Sequence, residues 1–316
     1  MDKAPYRADL AQGPEDASTF WVRANDGVRL RLTIWRQEGA WGTVLLFPGR
    51  TEFIEKYGRL ARDLTAQGLA VTTIDWRGQG FSDRLAGDPS LGHVGAFSDY
   101  QRDVDALLSA AREARLPEPF NLLAHSMGGS IGLRALCEGL PVARAVFTAP
   151  MWAINLPVAL RPLPFVLPPV YRLARRGLDY APGTRPTNYI SETGFVENLL
   201  TTDRESYDVL GGYAAAEPMF ALGGPSVHWV GEAAKEGRAL LRMPRPDVPT
   251  LTCLGTLEQV VSITAINRIH ADWPSAELRL VEGAKHELLM EAPAIRARVL
   301  SQTLEFLAPD RIHATR

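Results

Sequence analysis

The sequence predicts an α/β fold: a mostly parallel sheet led by an antiparallel hairpin, helices on both faces, and one helical insertion. Three observations carry that prediction. Short apolar runs at residues 44–47, 70–74, 120–124, 142–147, 250–254 and 278–281 have the length and character of strands buried on both sides. Most are separated by stretches of helical period, such as Tyr57-Leu60-Ala61-Leu64 and Tyr100-Val104-Leu107-Leu108, and that alternation implies a parallel sheet between helical layers. The pattern stops between residues 151 and 246, a stretch holding 11 of the 23 prolines and no clear strand, and resumes at Thr250.

The leading hairpin is read from period-two alternation in Phe20-Trp21-Val22-Arg23 and in residues 28–35, on either side of Asn25-Asp26-Gly27. Alternating runs around an Asn/Asp/Gly turn pair antiparallel. Because the strand–helix alternation restarts after residue 246, residues 151–246 are expected to be an insertion in one core made of residues 1–150 and 247–316. Within it, residues 156–171 are the longest lipophilic segment of the chain, but Arg161 and five prolines interrupt them. A membrane-spanning helix needs about 20 apolar residues without such breaks.

Composition narrows the function classes. The chain has 316 residues, 46% hydrophobic and 22% charged, with a formal net charge of −2. A partner of nucleic acid would call for a strong basic excess, so none is expected. Cys137 and Cys253 each lie in apolar runs far apart in sequence, as small buried hydrophobes do, and suggest neither a disulfide framework nor a metal site. The N-terminal residues lack the apolar stretch of a secretory signal. A cytoplasmic protein is expected, with contact at the inner membrane face left open.

The candidate nucleophile is Ser126, in FNLLAHSMGGSIGLRAL. It stands where a buried strand meets a helix, and such a sharp turn needs small neighbours two residues away on each side. Those neighbours are Ala124 and Gly128; Ala124 departs from the usual glycine. The turn also places the Met127 amide at a helix N-terminus, where it suits an oxyanion. A serine needs a base held by a third group. His286 follows the strand at 278–282 and the turn Gly283-Ala284-Lys285, and precedes a last helix that Pro293 helps open. It is the expected base. His125 reads as packing, and His270 and His313 as surface residues. The acid should fall between serine and histidine in chain order. Glu258, just past the strand at 250–254, is at the carboxyl edge of the sheet; Asp247 precedes that strand, and Glu287 reads as a solvated loop residue. The second oxyanion donor is expected from Pro48-Gly49-Arg50, through the Arg50 amide, with Gly49 allowing close approach of substrate.

With these residues in place, the chain resembles the α/β-hydrolase superfamily, in the monoacylglycerol lipase/lysophospholipase branch that is also grouped with serine aminopeptidase-like hydrolases. The matching stretches are PGRTEFIEKY, DWRGQGFSD at 75–83, GHVGAFSDYQRDVDAL at 92–107, LLAHSMGG at 122–129, LGTLEQVV at 254–261 and GAKHELLME at 283–291. Pro48 departs from the histidine of many branch members, and Pro-Gly-Arg is similar to bacterial lysophospholipases. The resemblance implies a carboxylic-ester hydrolase without metal or cofactor, acting on a small-molecule or monoacyl lipid ester, with residues 151–246 as a lid. It casts Asp75, Arg77, Gly78, Gly80 and Ser82 as bracing of the sheet edge. In the lid, Arg172, Arg175 and Arg176 read as a solvated face or as partners of a lipid phosphate, and Trp229 as lid packing or a substrate contact. Two other readings are a small-ester or aminoacyl hydrolase of the same fold, and a non-catalytic binding module. The module would call for a damaged triad, whereas all three positions are filled.

Overall fold

The computed structural model describes residues 1–308; His313 lies outside the described residues. The chain begins with a two-residue strand β1 (Asp2–Lys3) and a single helical turn α1 (Ala8–Ala11), neither of which the pattern announces. The expected hairpin follows as β2 (Ala17–Arg23) and β3 (Arg29–Trp35), paired from Ala17↔Trp35 to Arg23↔Arg29. Gly27 sits in its turn at φ 87°, a conformation that glycine adopts without steric cost.

The core continues as β4 (Thr43–Phe47), α2 (Gly58–Ala66), β5 (Ala70–Ile74), α3 (Tyr100–Glu113), β6 (Phe120–His125), α4 (Met127–Cys137) and β7 (Ala145–Thr148). The last of these starts three residues later than expected, because the Val142 amide closes a turn on the Leu140 carbonyl. Next come α5 (Leu163–Leu173), α6 (Tyr189–Glu192), α7 (Arg204–Ala216) and α8 (Val227–Leu240). The chain then returns to β8 (Thr250–Gly255), α9 (Ile263–Ala271), β9 (Ala276–Val281) and α10 (Pro293–Leu307).

All nine strands form one sheet, in the order β1-β2-β3-β5-β4-β6-β7-β8-β9. β1, β2 and β3 pair antiparallel and the remainder parallel. Successive side chains of a strand point to opposite faces. Val44 and Leu46 accordingly join Leu60, Leu64 and Val299 under α2 and α10, while Leu45 and Phe47 join Leu107, Ile131 and Ile266 under α3, α4 and α9. Both faces are covered, as a parallel sheet requires.

Strand order places the site. From β4 the chain steps to β5 on one side and then to β6 on the other, so the connections diverge at the carboxyl ends of β4 and β6. Ligands of open α/β sheets bind at such a switch point. The loops that follow β4 and β6 are those of Arg50 and Ser126. The segment between β7 and β8 contributes no strand to the sheet among the described residues, although these two strands are direct neighbours in it. None of the described helices is long and apolar enough to cross a membrane.

Candidate active site

Ser126 leaves β6 and precedes the first residue of α4, at φ 49° and ψ −117°. Such a backbone costs about 1–3 kcal/mol in a non-glycine residue and persists only where its surroundings fix it. Those surroundings are close. A β-carbon on Gly128 would fall 2.2 Å from the Phe47 carbonyl oxygen, so the helix packs directly on the end of β4. A β-carbon on Gly132 would lie 3.3 Å from Ala124 Cβ. The bare helix position at Gly132 thus makes room for the methyl that replaces the usual glycine at 124.

Three elements bring three predicted residues into one hydrogen-bonded chain. Ser126 Oγ lies 2.9 Å from His286 Nε2, and His286 Nδ1 lies 2.8 Å from Glu258 Oε2. All three residues are buried. The second carboxylate oxygen, Glu258 Oε1, accepts the amides of Val260 at 2.5 Å and Val261 at 3.1 Å. Burial pushes the Glu258 pKa up, but the His286 bond and these amides outweigh it and hold the carboxyl below its ordinary range. Glu258 is thus kept as an acceptor that orients His286. Asp247 is exposed, ahead of β8.

The Gly49–Arg50 loop is clamped next to this chain. Trp76 donates its indole N–H to the Pro48 carbonyl at 2.8 Å, and Gln79 donates to the Gly49 carbonyl at 3.0 Å. The Gly49 amide donates to Glu52. Both backbone groups of Gly49 are therefore used inside the protein, and Gly49 is absent from the cavity lining: its bareness accommodates the Glu52 carboxylate, 2.9 Å from where a β-carbon would sit. Of the residues expected to brace the sheet edge, Asp75 and Arg77 are tied to several neighbouring segments. Asp75 accepts from Arg31 and from the amides of Ile54 and Phe81, and Arg77 is shared between Asp103 and Asp26.

A cavity of about 630 Å³ opens over Ser126 and His286. Its wall from the 151–246 segment is largely aliphatic, including Leu156, Leu160, Leu163 and Leu167. Trp229 lines it as well, with its indole N–H donating to the Tyr100 hydroxyl at 3.4 Å, so this side chain is both packing and cavity wall. Arg172, Arg175 and Arg176 are exposed.

Glu287 corrects the reading of a solvated loop residue. It is buried, and both its carboxylate oxygens accept from Lys56 Nζ at 2.7 Å. Lys56 also donates to Glu52, as does the Tyr57 hydroxyl. His125 completes the cluster: its Nδ1 lies 3.0 Å from the Thr148 carbonyl oxygen, and its Nε2 is 3.5 Å from Glu287 and 3.6 Å from Glu52. Burial disfavours charge on His125, but Glu287 and Glu52 more than offset this and raise its pKa. For Glu287, burial is likewise overcome by Lys56 and His125, and its pKa lies well below the ordinary range. Glu52, His125 and Glu287 converge as metal ligands would, but the Lys56 ammonium already bridges the two carboxylates. His270 also differs from its surface reading. It is half-buried beside Trp152 and Trp273, and burial lowers its pKa to about 4.

The cluster ties the segment after β4 (Glu52, Lys56), the turn before α4 (His125) and the segment after β9 (Glu287) together beside the cavity. Lys56→Met should therefore destabilise the fold by about 3–5 kcal/mol at neutral pH, as removal of one partner from a buried ion pair does. Glu287 has a depressed folded pKa, so its stabilising contribution is present above the ordinary carboxylate range and lost as pH falls through the folded value. Without Lys56 that carboxyl protonates at higher pH. The deficit in denaturant unfolding should narrow as pH falls from 7 to 5, and a constant deficit would contradict the charge account.

Comparison with known proteins agrees with the resemblance drawn from the motifs. The profile of the family described as serine aminopeptidase, S33, matches residues 39–293. Lysophospholipase L2 of Escherichia coli (strain K12) is 33% identical over 330 residues, covering 95% of this chain and 91% of the relative. The probable lysophospholipase L2 of Haemophilus influenzae is 27% identical, covering 97% and 99%. Among solved structures, a soluble variant of monoglyceride lipase from Saccharomyces cerevisiae, in complex with a substrate analog, superposes with a TM-score of 0.73. It is 20% identical, with 98% of each chain covered, and shares the fold. This chain belongs to the serine aminopeptidase S33 family of α/β-hydrolases.

Proposed function

We propose that this chain hydrolyses the ester of a monoacyl glycerolipid, a lysophospholipid or monoacylglycerol, through an acyl-enzyme on Ser126. The observation that carries the reading is the Ser126–His286–Glu258 hydrogen-bonded chain at the base of an aliphatic cavity. His286 Nε2 takes the Ser126 proton as Oγ attacks the ester carbonyl. The Met127 amide at the start of α4 and the Arg50 amide stabilise the oxyanion. His286 then returns the proton to the leaving glycerol oxygen. Water, deprotonated by His286, releases the fatty acid and restores Ser126. The substrate named for the similar lysophospholipases supports the choice of lipid, and so does the wall: an apolar groove with few polar groups suits an acyl chain.

Residues 151–246 act as the lid. Exposed apolar side chains at Val158, Val166, Val170 and Leu173, beside Arg172, Arg175 and Arg176, support peripheral contact with a membrane from the cytoplasmic side. An aminopeptidase reading is less well supported. A carboxylate is needed to bind a free amino terminus, and the cavity's Glu52 and Glu287 are both engaged by Lys56.

The test is a chain-length profile. Turnover of p-nitrophenyl esters should rise from acetate toward longer acyl chains. Replacing residues 156–176 by a short Gly/Ser loop should spare acetate and weaken long-chain hydrolysis. A wild-type preference for acetate would overturn the lipid reading, and equal loss on both esters would overturn the lid.

A further inference from the structure

Arg50 and Lys56 are the arginine and lysine side chains that line the cavity, and they differ in how their charge is met. Lys56 is neutralised by Glu52 and Glu287. Arg50 has no carboxylate within ion-pair distance among the described residues. Its Nη2 donates to the Gly223 carbonyl at 2.7 Å, and its guanidinium lies 5.2 Å from the centre of the Trp229 ring. Its Nε is sealed from solvent and has no hydrogen-bond partner. Arg50 is half-buried, and the fully buried arginines are served differently: Arg31 is paired with Glu55 and Asp75, and Arg77 with Asp103 and Asp26.

A guanidinium carries five donors and stays protonated in proteins. Drawing part of it out of water without a counter-charge is unfavourable. Burial lowers the Arg50 pKa only to about 10, so the cost is not avoided by losing the proton. The Trp229 face and one carbonyl hold the fork in place without neutralising it. The residue directly follows Gly49 in the loop whose amide faces the reacting ester in the proposed mechanism. An anion arriving with substrate is therefore the missing partner. With Nε sealed and Nη2 already donating to Gly223, the remaining Nη hydrogens are what a phosphate oxygen would meet, and such charge-assisted bonds are roughly twice as strong as neutral ones.

We propose that the Arg50 guanidinium binds the phosphate of a lysophospholipid headgroup, so that this site prefers a phosphate-bearing monoacyl glycerol ester to the neutral monoacylglycerol. The inference rests on the reading of Ser126 as the nucleophile beside which the ester sits. The phosphate belongs to the alcohol that leaves, while the acyl chain takes the aliphatic wall.

The experiment compares kcat/KM on 1-acyl-glycerophosphocholine and on 1-acylglycerol of the same chain length, for wild type, Arg50→Gln and Arg50→Lys. In Arg50→Gln the phospho-to-neutral ratio should fall about 10–100-fold, the range for losing a charged hydrogen-bond partner. Arg50→Lys keeps the charge but loses the fork, and its ratio should lie between the two. Glycerophosphocholine should inhibit wild type competitively on p-nitrophenyl esters, and this inhibition should weaken by the same factor in Arg50→Gln.

An unchanged ratio, or equal loss on both substrates, would overturn the proposal and leave Arg50 as a tie between its loop and residues 223–229. Inhibition by free fatty acid that weakens in Arg50→Gln, with glycerophosphocholine unaffected, would assign the site to the product carboxylate and overturn it too. The headgroup assignment also fails if inorganic phosphate inhibits through Arg50 while glycerophosphocholine does not. Covalent labelling of Ser126 by a neutral fluorophosphonate separates the layers: labelled Arg50→Gln with an unchanged ratio sinks the headgroup inference alone, whereas unlabelled wild type sinks the nucleophile reading.

Discussion

Replacing Ser126 with alanine should lower ester hydrolysis about 10⁴–10⁶-fold, the loss typical when a triad nucleophile is removed, while leaving the unfolding midpoint near wild type. The substitution deletes one oxygen whose hydrogen bond runs to His286 Nε2 at the cavity floor. It leaves the aliphatic packing of β6 and α4 intact. The left-handed backbone at this position is fixed by its neighbours, since Gly128 has no room for a β-carbon against Phe47 and Pro48. Steady-state kinetics on a long-chain p-nitrophenyl ester, with thermal unfolding as the control, checks both halves. Residual turnover above about one part in a thousand would point to another nucleophile.

Glu258→Gln should lower turnover about 10²–10⁴-fold, somewhat less than the roughly 10⁴-fold cost of the comparable change in a serine protease. The direction follows from the hydrogen bonds. Glu258 Oε1 accepts from Val260 and Val261, so the glutamine carbonyl is drawn to those amides and its NH₂ turns toward His286 Nδ1. That favours the tautomer with the proton on Nε2, which cannot accept the Ser126 proton. The imidazolium that forms during reaction also loses its counter-charge. KM should change much less than kcat, because the carboxylate stabilises charge that exists only during the reaction. Asp247→Asn, exposed at the opposite end of β8, should stay within a few fold of wild type. A crippled Asp247→Asn beside a mild Glu258→Gln would reassign the acid.

Residues whose position is set by local chain pattern are legible in the sequence alone. Ser126 announces itself by the strand–turn–helix junction and its small neighbours, and His286 and Glu258 by following apolar strands at one edge of the sheet. The hairpin and the core strands are legible for the same reason: period and turn chemistry are local properties. The Glu52–Lys56–Glu287–His125 cluster is not. Lys56 and Glu287 are 231 positions apart, and no spacing rule relates them. Glu287 looks like any acidic loop residue until the Lys56 ammonium is placed against it.

Gly49 is legible as a glycine that must stay bare, but not for the right neighbour, which is the Glu52 side chain. Helix α5, within the expected helical insertion, is not legible as a helix because it carries Pro168 and Pro169 internally, and proline removes a helical hydrogen bond and normally ends the element. Packing compensates here, since α8 offers a bare Gly231 whose β-carbon would fall 2.6 Å from Pro168.

Mapping the adduct of a fluorophosphonate probe by peptide mass spectrometry asks whether Ser126 is the nucleophile of a working hydrolase. The expected result is one phosphonylated residue, Ser126, in folded wild type and no adduct in Ser126→Ala. An adduct on any other residue, or a folded wild type that takes no label, would contradict the account, and the second outcome is what a non-catalytic binding module would give.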